Sequence, residues 1–258
     1  MQNKSQKKLK KIIIIGATSS IAEHCARLWI QQAPVEIILV GRDYNKTEQI
    51  ACDLRVRGPN TTVTSIEADF HDPEKIKALA DQLNQTSPIH PIDIILIAHG
   101  VLSDQQQCQK ELTQCHDALA INGLSPILFA EAFSKHMEKT NHGTLAIIGS
   151  VAGDRGRKSN YIYGAAKALV ASYTAGLQHR FANTNVRVTL IKPGPTDTPM
   201  TAHLKRQGQQ LTPVTLVAKS IVKGISQGQR VIYTPIKWLL IMMIIRHIPH
   251  AIFKKMDI

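Results

Sequence analysis

This 258-residue chain is short of cysteine, of aromatic residues and of acids. Its four cysteines, Cys25, Cys52, Cys108 and Cys115, form no C-x-x-C pair and no His/Cys cluster with metal-ligand spacing. Reduced thiols in a cytosol are therefore expected, rather than disulfides or a metal centre. Aromatic residues make up 5% of the chain and fall into no RNA-binding motif. With no zinc finger and no long basic helix either, nucleic acid is not an expected partner. No secretory signal opens the sequence, because the lysine-rich start "MQNKSQKKLKK" runs straight into "IIIIG", which is too short for a signal core or a membrane span. A cytoplasmic location is expected. Acids number 19 against 31 Lys and Arg, a formal charge of +12. That balance leaves an anionic membrane surface or an anionic substrate as the partners to look for.

What is present is a strict alternation. "KIIIIG", "EIILVGR", "TVTSIEAD", "IDIILIAHG", "GTLAIIGS" and "VRVTLIKPG" read as six strands. Helical patterns separate them, among them "PEKIKALADQLNQ", a long helix around "ALAINGLSPILFAEAFSKHM", and "YGAAKALVASYTAGLQHRF". Strands that are apolar throughout need cover on both faces, so the expected fold is α/β, a doubly wound parallel sheet of the Rossmann type. No internal repeat or low-complexity linker interrupts it. The expected organisation is a basic segment at 1–11, one Rossmann domain at 12–228, and a hydrophobic, basic-flanked segment at 229–258.

Ligands of such a sheet bind at the carboxyl ends of its strands. The first strand ends in "GATSSIA", where Gly16, Ser19, Ser20 and Ile21 sit at a helix start that can receive a pyrophosphate. Only Gly16 remains of a glycine-rich pattern, Ser20 and Ala22 standing where further glycines would be, so a tight turn without a ligand stays open. The second strand ends in "VGRD". An acid there takes ribose hydroxyls of NAD, and an arginine pairs with the extra phosphate of NADP. Arg42 precedes Asp43, which favours NADP(H), with NAD(H) as the alternative and a solvated surface arginine as the bland one. Tyr163 and Lys167 lie one helical turn apart on a common face, where an ammonium can favour a phenolate and bring the phenol toward working range.

Taken jointly, "GATSSIA", "EADF", "IAHG", Ile121–Asn122, "IIGSVAG", "YGAAK" and "KPG" resemble, in order and spacing, the short-chain dehydrogenase/reductase family. The resemblance implies an NAD(P)-dependent oxidoreductase. Tyr163 would be the general acid toward a carbonyl oxygen, Lys167 would lower its pKa and hold the nicotinamide ribose, and Ser150 would bind the same oxygen. Asn122 would hold a water linking Lys167 to solvent. Asp69 and Phe70 would bracket the adenine, Ala98 and Gly100 would line the cofactor, and Pro193, Gly194 and Thr198 would close over the nicotinamide end. One departure stands out. The family's Asn-Ala-Gly is "AHG" here, so His99 is either a structural change or a substrate or phosphate contact.

The tail continues as "YTPIKWLLIMMIIRHIPHAIFKKMDI". Its apolar run from Trp238 to Ile245, as helix, is about 12 Å long against roughly 30 Å of hydrocarbon, so it cannot span a bilayer. Flanked by Lys237, Arg246, His247, His250, Lys254 and Lys255, it suits an anionic membrane surface or an oligomer interface. "GDRGRKSNYIYGAAKAL", "KPGPTDTPMTAHLK" and "RHIPHAIFKK" are similar to segments of decaprenylphosphoryl-2-keto-ribose reductases. This resemblance implies a ketoreductase for a polyprenyl-phosphate-linked keto-pentose, peripheral on the inner face of the membrane. Its partner would be a flavin oxidase in ribose-to-arabinose epimerisation for the cell wall or surface polysaccharide. Arg155, Arg157 and Lys158 would meet the lipid phosphate or remain solvated loop charges. A homo-oligomer is expected. The alternatives are a soluble reductase of another hydrophobic ketone or acyl thioester, and a non-catalytic dinucleotide-binding sensor or scaffold.

Overall fold

The four isoleucines Ile12 to Ile15 show how the fold is built. All are fully buried, Ile12 and Ile14 packing on one side with Cys25, Trp29, Leu54 and Ile221, and Ile13 and Ile15 on the other with Ile76, Phe129, Phe133 and Leu177. Successive strand residues point to opposite faces, so an unbroken apolar strand implies a layer of helices on each side. Each such side chain contributes about 1.5–3 kcal/mol of transfer free energy. The computed structural model describes residues 9–85 and 91–256. Most of the basic segment expected at 1–11 thus lies outside the described residues, and its end, Lys10 and Lys11, opens the first strand.

The elements run β1 (Lys10–Ile15), α1 (Ser20–Gln32), β2 (Val35–Gly41), α2 (Tyr44–Arg57), β3 (Thr62–Glu67), α3 (Pro73–Gln85) and β4 (Ile94–Ile97). After these come α4 (Gln105–Lys110), α5 (Leu112–Leu119), α6 (Ser125–Thr140), β5 (Thr144–Ile148), α7 (Tyr161–Arg180) and β6 (Arg187–Pro193). The chain ends with β7 (Thr196–Asp197), α8 (Ala202–Arg206), β8 (Thr212–Pro213), α9 (Val214–Ser226), β9 (Val231–Thr234), α10 (Lys237–His247) and α11 (His250–Phe253). Seven strands form one parallel sheet in the order β3-β2-β1-β4-β5-β6-β9, while β7 and β8 form a small parallel pair. The order reverses between β1 and β4, and that switch opens a crevice at the carboxyl ends of both.

Two features differ from the expectation. The segment placed in the tail after 228 supplies the seventh strand, β9, which pairs in parallel with β6 from Leu190↔Val231 to Pro193↔Thr234. The long helix after β4 is not uniform either. Between α5 and α6 lies a π-turn, Ala120–Leu124, closed by the Ser125 N–H donating to the Ala120 carbonyl. An extra residue in a helical turn shifts the register of the turns after it and frequently marks a functional site. Among the described residues no helix is long and apolar enough to cross a membrane.

Candidate active site

The crevice is a cavity of about 1090 Å³ running along the carboxyl ends of the strands. At one end β1 turns into α1. Gly16 adopts φ +84°, and a Cβ there would lie 2.6 Å from the His99 backbone nitrogen. Only glycine fits a left-handed turn this close to the neighbouring strand. The Gly16 and Ala17 N–H groups donate to the Val40 carbonyl, so the turn is pinned to β2. Beyond it Ser19, Ser20 and Ile21 face the cavity at the start of α1, where the first-turn N–H groups have no intrahelical acceptor and the helix dipole favours an anion.

Arg42 stands exposed at the tip of β2 and lines the cavity. Asp43, by contrast, is occupied. Its carboxylate caps α2 through the Lys46 N–H and pairs with the Lys46 ammonium at 3.4 Å, and these bonds hold its pKa low. Arg42 is thus the group left to meet a ligand. Lys46, one helical turn further, lines the same end and was not foreseen, although the i, i+4 spacing from Arg42 is visible in the sequence.

Phe70 is buried against the wall of the cavity, edge-on to His99 and Phe129 at 4.7 and 5.1 Å. Its neighbour Asp69 is not among the lining residues. The Asp69 carboxylate accepts from the His71 and Asp72 N–H groups and from Lys75, which together bring its pKa down to about 2. It fastens the start of α3 instead. Ala98 and Gly100 line the floor. His99 lines the cavity as well; burial holds its imidazole neutral, Nε2 pairs with Ser125 Oγ at 2.9 Å, and Nδ1 has no partner among the described residues, so both readings of this residue stay open.

The candidate reacting groups share this cavity. Ser150 follows β5 and caps the short 3-10 turn Val151–Asp154 by accepting from the Ala152 N–H at 3.1 Å. It lines the same cavity as Tyr163. Tyr163 and Lys167 come from the first two turns of α7. Lys167 is buried, its ammonium donating to the Ile148 carbonyl at 3.2 Å and lying 5.8 Å from the Tyr163 ring centre. Asn122, in the π-turn, accepts from the Val101 N–H at 2.8 Å and donates to the Ala118 carbonyl at 2.9 Å. Its side chain therefore braces the loop after β4 rather than lining the cavity. A Cβ on Gly100 would fall 2.8 Å from Asn122 Oδ1 and 3.5 Å from Lys167 Nζ, so glycine there makes room for amide and ammonium to approach.

Electrostatics correct one expectation. The spacing of Tyr163 and Lys167 suggested a depressed phenol pKa, yet burial pushes Tyr163 up to about 12. Burial also lowers Lys167 to about 8. Desolvation disfavours the charged form of each group. Tyr163 thus stays protonated at neutral pH.

Pro193, Gly194 and Thr198 close the far end. The surprise there is Trp238 from α10, which also lines the cavity and packs its indole edge on Gly194. The three basic residues after the serine strand separate. Arg157 lines the cavity, Arg155 is engaged by the tail, and Lys158 is exposed.

This chain is similar to known proteins over most of its length. It is 25% identical over 247 residues to an uncharacterized oxidoreductase in the mprA 5′ region of Streptomyces coelicolor, covering 96% of each chain. Among solved structures, a short-chain dehydrogenase from Sphingobium yanoikuyae in complex with NADPH superposes with TM-score 0.80 at 21% identity, over 94% of this chain and 98% of that one. A short-chain dehydrogenase/reductase from Burkholderia phymatum in complex with NAD gives 0.77 at 20% identity, over 92% of each. The family model for short chain dehydrogenase matches residues 10–209, which carry the whole sheet up to β6 together with Ser150, Tyr163 and Lys167. The chain therefore belongs to the short-chain dehydrogenase family of NAD(P)-dependent oxidoreductases.

Proposed function

We propose that this protein is an NADPH-dependent ketoreductase that reduces the keto group of a pentose carried on a polyprenyl phosphate, at the anionic inner surface of the membrane. The observation that carries the chemistry is that Ser150, Tyr163 and Lys167 line one cavity, where burial keeps the Tyr163 phenol protonated at neutral pH. The residues present fit a dinucleotide. Gly16 makes a tight left-handed turn at the cavity wall, the start of α1 can receive the pyrophosphate, and Arg42 has no acid partner among the described residues, which supports NADP(H) over NAD(H). When bound, the nicotinamide supplies the hydride. Ser150 would donate to the carbonyl oxygen and stabilise its growing charge. Tyr163 would give that oxygen its proton, so that hydride plus proton turns ketone into alcohol. Lys167, still largely charged at neutral pH, would favour the phenolate left behind and hold the ribose. Asn122 would keep the nearby main chain in place for the water that returns the proton.

The lipid part of the proposal rests on α10. Ile236, Leu240, Met243 and Ile244 are 72%, 60%, 52% and 66% exposed, an apolar face beside the mouth of the cavity. Lys237, Arg246, His247, His250, Lys254 and Lys255 surround it, all exposed. Such a face suits shallow insertion among anionic headgroups. A flavin oxidase would then supply the ketone by oxidising the same lipid-linked sugar. Mass spectrometry of lipid-linked sugars tests the proposal: cells lacking the protein should accumulate the keto-pentose lipid and lose the arabinose form. An unchanged lipid profile would refute this substrate.

A further inference from the structure

Helix α10 lines the cavity at its start and is fastened at its end to the turn after Ser150. At its start, Trp238 presses on Gly194, where a Cβ would collide with the indole Nε1. The turn at Gly194 and the tail therefore share one contact surface, and the indole forms a wall of the cavity that also holds Ser150 and Tyr163. At its end, Arg155 reaches from the turn after Ser150 and donates to the carbonyls of Ile245 and Ile248, the latter at 2.7 Å. Ile248 is the C-cap of α10 and its N–H reaches the Ile245 carbonyl only at 3.4 Å, so the guanidinium completes the bonding at this helix end. The same guanidinium stacks on the Phe253 ring at 3.7 Å, so one side chain fastens both α10 and α11.

A third tie lies between these two. Asp154, next to Arg155, makes a buried ion pair with Lys192 and accepts from the Tyr233 hydroxyl at 2.9 Å. Lys192 immediately precedes Pro193, and Tyr233 sits on β9 just before α10. The turn that carries Ser150, the loop that carries Gly194 and the strand that launches the tail are thus joined through one carboxylate. Removing a partner from such a buried pair would leave an uncompensated charge, which makes the three segments move together or not at all.

We infer that α10 is a working part of the cofactor pocket: Trp238 positions the nicotinamide end across Gly194, and Arg155 is the positioning residue that holds the helix there. The inference rests on the dinucleotide reading and holds for any carbonyl substrate. Because coupling between two elements is reciprocal, a helix that helps to hold the dinucleotide must itself be held by it.

The test is hydrogen–deuterium exchange of the full chain with and without NADPH, combined with NADPH titration. Bound NADPH should slow exchange across 237–253 in the wild type. Arg155→Ala should speed that exchange and weaken NADPH by about 5–10-fold, the lower range of coupling between sites. Arg155→Lys should recover part of it, since an ammonium reaches one carbonyl but lacks the fork and the stacking plane. Trp238→Ala should weaken NADPH with α10 still formed, and Trp238→Phe should largely restore it, which a loss of general stability would not do. Wild-type protein that binds neither NADPH nor NADH would refute the dinucleotide reading instead. If the wild type binds NADPH but its exchange across 237–253 does not change, and Trp238→Ala binds as the wild type does, the inference is overturned.

Discussion

Two apolar runs in this chain meet opposite fates. In β1, Ile12 to Ile15 are all fully buried, whereas in α10 only Met242 is, and Leu240 and Ile244 stand 60% and 66% exposed. Their composition is alike, and their positions are not. A central parallel strand has a helix layer against each face, so every side chain finds neighbours. A helix at the margin of the sheet has neighbours along one stripe, here β9 and the turn after Ser150, and its other faces meet solvent. Burial therefore reports location in the fold, and the surface that the tail leaves uncovered is one that a partner or a lipid can cover. The sheet-bound part of the molecule holds the Gly16 turn, Ser150, Tyr163 and Lys167. The marginal half supplies one wall of the same cavity.

The largest effect should come from the buried run. Ile14→Asp places a carboxylate between two apolar layers with no partner, and should cost about 4 kcal/mol or more, measured by urea unfolding. The matching change in the tail, Leu240→Glu with Ile244→Glu, is the opposite extreme.

Arg42→Ala should weaken NADPH by about 10–100-fold, the scale of lost hydrogen bonds to a charged group, and leave NADH nearly unchanged. Equal losses for both dinucleotides would remove Arg42 from the 2′-phosphate. The pH dependence of kcat/KM for NADPH oxidation should be smaller and equally specific. Burial sets Lys167 at about 8 and Tyr163 at about 12. Reduction should hold steady below pH 8 and fall as pH rises through about 8, when the ammonium loses its proton while the phenol keeps its own. A limb near the ordinary lysine value would show that burial does not govern this site.

At the small end, Leu240→Glu with Ile244→Glu should change stability by less than about 0.5 kcal/mol per site, because both side chains already face solvent. Sedimentation with anionic vesicles should nevertheless be lost, and high salt should weaken it in the wild type. Wild-type protein that ignores vesicles, together with a variant that falls from oligomer to monomer, would assign this face to a second copy of the chain.

Much of this was legible in the residues. Continuously apolar strands announced a parallel sheet covered on both faces. The helix "PEKIKALADQLNQ" was readable to its ends, since Pro73 suits a first turn and the apolar positions repeat with helical period. Ser150, Tyr163 and Lys167 were legible because their spacing and the motifs around them constrain one another. The π-turn at Asn122 was hidden, as one inserted residue leaves a helical pattern looking intact. β9 is only four residues long and precedes Pro235, so nothing separates it from a loop by pattern. The packing of Trp238 on Gly194 is a long-range contact without a local signature. The raised phenol pKa needed burial, which spacing does not report.

The central claim is that Tyr163 gives the proton in an NADPH-dependent carbonyl reduction. Tyr163→Phe tests it most directly, since the change deletes the hydroxyl and keeps the ring. NADPH affinity and turnover of the ketone would be measured on the same preparation. The account predicts that turnover disappears while affinity stays within about threefold, because the interaction lost acts only in the transition state. Turnover that survives in the variant, with NADPH still bound, would contradict it.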